Sequence, residues 1–167
     1  MTRRITARVA GLALFLCGGI ASLAGSACGQ TAKEIAGTYT LVSFTNQQAD
    51  KTTDTYGPNP KGVMMLDANG RYVVVLMRPD LPRFASNNRS TGTPAENASV
   101  VQGSISTFGT YSVGGQDLAI KIEQSTFPNW VGTDQKRTIT ITGDEMKWTN
   151  QAGSGGGVVE LVFKRAK

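Results

Sequence analysis

The chain contains no histidine, and its two cysteines, Cys17 and Cys28, both fall within the first 29 residues. With neither residue type in the body of the chain, no Ser-His-Asp triad, no Cys-His pair and no zinc site of the common kinds can be built there. The body carries no disulfide either. Paired carboxylates for acid-base work have little support, because Glu123, Glu145 and Glu160 each fall on a polar parity or in a turn. Asp67, Asn69 and Gly70 share the opening of a calcium loop but lack its later ligands and terminal glutamate, so a hairpin is expected instead. No cofactor and no metal are expected. The formal charge of +5 is also misleading: of 17 basic residues, Arg3, Arg4 and Arg8 lie at the N-terminus, and the other 14 against 12 acidic ones leave +2. That is no footprint for nucleic acid.

The N-terminal segment has the order of an export signal: basic residues, an apolar run from Val9 to Leu23, then Ala24-Gly25-Ser26-Ala27-Cys28-Gly29. The run is too short and too glycine-interrupted for a membrane span, which needs roughly 20 apolar residues. Residues 1–29 are therefore read as a secretory signal peptide, and the mature protein as exported, periplasmic or secreted, with no membrane span. Three ends remain open: cleavage after Ala27, cleavage after Gly29, or a lipid anchor on Cys28.

The remainder is rich in glycine and threonine, which favours an all-β chain with tight turns. Gly37 to Phe44 reads as a strand of undecided inward face, followed by a polar loop from Gln47 to Thr55. Gly57, Pro58, Pro60 and Gly62 make a stiff turn that launches Val63 to Leu66. Asn69-Gly70 supplies a hairpin turn back into Arg71 to Met77, and the two strands are apolar enough for burial on both sides. Pro79 to Thr93 is one long irregular segment. It ends on Thr93-Pro94-Ala95-Glu96, a capping box that opens a short helix whose apolar stripe is Ala98, Val101 and Ile105. From Phe108 the alternation is clean, with Ile139 and Ile141 opposing Thr138, Thr140 and Thr142. Strand regions opening at Gly37, Val63, Arg71, Phe108, Leu118, Arg137, Met146 and Val158 give eight. The expected fold is an eight-stranded antiparallel up-and-down barrel over residues 35–165, with the loop and helix between its third and fourth strands. A flatter sandwich is the alternative.

Three blocks, Tyr56 to Gly62, Phe108 to Tyr111 and Phe127 to Thr133, together resemble the lipocalin-like domain family of bacteria and fungi. The resemblance implies an eight-stranded barrel and little more, since most of that family has no assigned activity; fungal relatives beside natural-product pathways imply binding or isomerising a hydrophobic metabolite. Lipocalins proper open with Gly-x-Trp beneath an arginine near the end of the last strand. Here Gly37-Thr38-Tyr39 has tyrosine in that place, and Arg165 shares the parity of Val159, Leu161 and Phe163, so the pair is expected to stack as a structural element.

Parity also makes Arg137 point inward with Ile139 and Ile141, with no inward carboxylate on the neighbouring strands. Backbone carbonyls of the Trp130 turn or an acid on the first three strands would satisfy it. Otherwise it holds the acidic head of a ligand whose apolar body lies on Ile139, Ile141 and Trp148. Trp130 either plugs the barrel's end or faces the ligand, and Arg83 and Phe84 form either a lid or an ordinary solvated loop. The expected partner is therefore a small apolar or amphipathic, possibly acidic, molecule. Two rival readings are an isomerase or cyclase that polarises its substrate with Tyr111 or Arg137, and an envelope scaffold with a filled barrel. The oligomeric state is left open.

Overall fold

The computed structural model describes residues 30–167, so the export segment and the alternatives at Ala27, Cys28 and Gly29 lie outside the described residues. Nine strands form one antiparallel sheet: β1 (Gly37–Gln48), β2 (Lys51–Asp54), β3 (Lys61–Leu66), β4 (Arg71–Met77), β5 (Ser104–Gly114), β6 (Asp117–Ser125), β7 (Asp134–Thr142), β8 (Glu145–Asn150) and β9 (Val158–Arg165). Their order is β2-β1-β3-β4-β5-β6-β7-β8-β9, and β1 also pairs with β9. That last pairing closes eight strands into a barrel and leaves β2 as a flap on the far half of β1. Two short α-helices, α1 (Ala32–Ile35) and α2 (Pro94–Gly103), and two single 3-10 turns, Arg89–Thr91 and Pro128–Trp130, complete the described chain.

Most strands alternate as the sequence does, with one face in the core and one in water. The apolar runs of β3 and β4 are no exception: Met64, Leu66, Tyr72, Val74 and Leu76 are buried, whereas Met65 and Val73 are 50% and 41% exposed. Burial on both sides is thus corrected to burial on one. On the outer face Met65 and Val73 meet solvent, and Val63, Val75 and Met77 are half-buried. The polar run from Gln47 to Thr55 is no loop either; it extends β1 and turns at Ala49, which has φ 49°, into β2. All four β2 residues are exposed, so no apolar alternation marks them.

Two irregularities set which residues face in. Between Leu41 and Ser43 the β1–β9 register slips by one, because Leu41 pairs with Phe163 and Ser43 with Val162. Val42 is the extra residue. Before it Tyr39 and Leu41 are buried, and after it the opposite parity, Phe44 and Asn46, turns inward. A second slip sits between Phe108 and Gly109, where Glu123 of β6 is the extra residue. Gly109 is inward there, and a Cβ on it would fall on the backbone of Lys121 and Glu123.

One end of the barrel is closed by packing. Ile35 of α1 is fully buried; the Tyr39 hydroxyl donates to its carbonyl at 2.7 Å; and the Tyr111 hydroxyl donates to the carbonyl of Asp67 at 2.6 Å. Arg165 lies 4.7 Å from the Tyr39 ring centroid and donates to the carbonyls of Ala36 and Glu34 at 2.6 and 3.0 Å. α2 stands at the other end. Its Thr93 and Glu96 form a reciprocal capping box, but the expected apolar stripe does not form: Val101 is 75% exposed and Ile105 belongs to β5.

Candidate functional site

Toward the open end the barrel encloses a cavity of about 430 Å³. This lies within the range of small-molecule sites, roughly 300–1,000 Å³. Its apolar wall comes from inward positions of successive strands: Val74 and Leu76 of β4, Ile120 and Ile122 of β6, Val159 and Leu161 of β9. Aromatic side chains ring the mouth. Phe44 meets Tyr56 edge-on with centroids 4.8 Å apart, and Phe127 meets Trp130 likewise at 5.5 Å. Val101 and Gln102 of α2, with the glycine run at Gly153 and Gly155, complete the rim.

Arg137 and Trp148 both stand in this wall, 6% and 4% exposed. Among the described residues that line it there is no aspartate or glutamate. Nη1 of Arg137 donates to the carbonyl of Lys136 at 2.9 Å, and Nη2 donates to Oε1 of Gln135. Gln135 in turn donates to Thr133 Oγ1 at 3.1 Å, whose hydroxyl donates to the Trp130 carbonyl at 2.7 Å. The Trp130 turn therefore reaches the guanidinium only at the end of a relay. The expectation of direct turn carbonyls, or of an acid from the first strands, is corrected to these two neutral acceptors. Burial pushes Arg137 down to about 10, with the Tyr72 phenol opposing the shift, so the group is a cation at neutral pH. Among the described residues three side-chain atoms are buried without a partner, and two of them, Nε1 of Trp148 and Oδ1 of Asn46, belong to residues of this wall; the third is Oε1 of Gln30. Asn150 is occupied, bonding both the N–H and the carbonyl of Ala152 at 3.0 and 2.9 Å.

Other expected site residues lie elsewhere. Ile139 is fully buried and Ile141 half-buried, and neither lines the cavity, because the strand has passed beyond it toward the closed end. Tyr111 is held in the closed end by the Asp67 bond, which also commits its proton. Arg83 and Phe84 form no lid over the cavity: the Phe84 ring lies against Gly92, and the Ala85 N–H donates to Glu96 at 2.7 Å, so this segment folds onto the start of α2. Phe44, Asn46 and Tyr56 were not foreseen in the wall. The β1 bulge hides the first two; Tyr56 carried a signal, an aromatic opening a rigid Gly-Pro turn. Among the described residues no group of three or more His, Cys, Asp or Glu is placed to hold a metal ion, and no helix is long and apolar enough to cross a membrane.

Two comparisons bear on this arrangement. Residues 36–166 match the model of a family described as a lipocalin-like domain. The chain is also similar to the 4'-hydroxy-3'-methoxypropiophenone carrier protein of Aspergillus oryzae, with 30% identity over 41% of this chain and 69% of that protein.

Proposed function

Because the chain belongs to the lipocalin-like domain family, we propose that its barrel takes up a small apolar or amphipathic molecule and carries it in the cavity. The observation that carries this reading is the enclosed space of about 430 Å³ with its aliphatic wall and aromatic rim. A scaffold with a filled barrel would have side chains there. The printed role of the Aspergillus oryzae relative, carriage of an aromatic ketone, agrees with the reading.

N-phenyl-1-naphthylamine, a neutral apolar dye, tests it. Saturable binding of one dye per chain is expected, with quenching of Trp130 and Trp148, the two tryptophans of the chain. Val74→Trp places a large ring in the cavity, and it should abolish dye binding while the variant still unfolds cooperatively in urea. Absence of saturable binding to the wild type, or equal binding to folded Val74→Trp, would falsify the carrier reading.

A further inference from the structure

The geometry points to an ionised carboxylic acid as the ligand, its carboxylate held by Arg137 and by the Nε1–H of Trp148. This rests on the carrier reading and specifies the polar end of the molecule carried.

A guanidinium has five N–H donors, and two of Arg137's find acceptors within the barrel, both of them neutral. Among the described residues the ion pairs are Arg71–Glu123, Arg78–Asp80 and Lys147–Glu160, all on the outside, and none involves Arg137. A buried cation without a counter-ion is costly, and an acid entering the cavity supplies one. Register brings the second donor beside it. Ile139 pairs with Trp148, so Arg137, two residues back on the same face, is the diagonal neighbour of Trp148, roughly 7–8 Å away between Cα atoms. Both side chains line the cavity, and the indole N–H has no acceptor among the described residues.

A carboxylate accepts only, and its two oxygens match two donors approaching from adjacent strands. The one unpartnered acceptor in the wall, Asn46 Oδ1, is on β1, three strands round the barrel from β7. The guanidinium does not bond to it; its acceptors are the Lys136 carbonyl and Gln135 Oε1. Beyond the donors, Val74, Leu76, Ile120, Ile122, Val159 and Leu161 give the wall an aliphatic stretch that suits a hydrocarbon or aryl body.

The test is displacement of N-phenyl-1-naphthylamine at pH 8 by decanoic and cinnamic acids and by their methyl esters. Both acids are ionised at that pH and the esters cannot be. The wild type should prefer each acid to its ester by about tenfold or more. In Arg137→Met the ratio should fall to about one, and in Trp148→Phe it should fall several-fold. Arg137→Gln, which keeps a polar group, gives a second measurement of the loss should the methionine variant not fold. Equal displacement by acids and esters in the wild type, with the dye bound, overturns the inference and leaves the carrier reading standing. A wild-type protein that does not bind the dye removes both.

Discussion

Arg137 keeps its charge at neutral pH while only 6% of its surface meets water. In the ligand-free protein that burial costs stability, since the cation exchanges water for one backbone carbonyl and one amide oxygen. Arg137→Met keeps most of the side-chain volume and removes the buried charge. It should therefore raise the free energy of unfolding by about 1–2 kcal/mol, read as a higher urea midpoint at unchanged slope. A loss of about 3 kcal/mol or more would mean that the relay through Gln135 and Thr133 is structural. The direction of this side chain was legible from the alternation of Thr138, Ile139, Thr140 and Ile141, because β7 has no bulge. The same reasoning fails for Phe44 and Asn46. One extra residue, Val42, reverses parity midway along β1, and neither the pleat nor the polarity of Ser43 and Thr45 announces it.

Elements show a similar division. Hairpin chemistry could be read directly at Asp67 to Gly70, where Gly70 adopts φ +86° and its N–H bonds the Asp67 carbonyl at 3.0 Å. β2 could not, since a strand exposed on both faces leaves no pattern for alternation to show. β5 illustrates how one position governs a whole pairing. Gly109 faces inward between Tyr72 and Ile122, opposite the place where β6 carries its additional residue. A methyl group there meets backbone, not a side chain that can rotate away. Gly109→Ala should destabilise by about 3 kcal/mol or more, and hydrogen exchange should show the loss first in the β5–β6 amides. Full protection in the alanine variant would show that the two strands can part without cost.

At the scale of the molecule, the titrating groups mark out a broad pH plateau. The described residues contain neither histidine nor cysteine, so no side chain has an ordinary pKa between about 5 and 8. Glu96 is held low by the Ala85 and Thr93 N–H groups, and Asp80 by its hydrogen bonds with Arg78. Such groups stabilise fully above the unfolded carboxylate range and lose the effect as pH falls through their folded values. The four tyrosines are all pushed up, chiefly by burial, Tyr56 to about 12. Their contribution is complete below about 10 and is lost as pH rises through the folded values. Urea unfolding should thus be flat from about pH 5 to 9 and weaken below about 4, while above about 10 the tyrosine loss is opposed by Arg137, whose buried cation is relieved there; a step near pH 6.5 would contradict it. A different consequence follows from the ends of the barrel. Tyr39 pairs with Arg165, and the Ala166 N–H reaches the Thr38 carbonyl at 2.8 Å, so the polypeptide enters and leaves the barrel at one pole. The aromatic mouth is at the other, roughly 25 Å away along the eight residues of β9. Attachment and opening are thereby separated: a tether, a surface or a fused partner joined directly to Ala36 or Ala166 would sit at the pole away from the aromatic mouth.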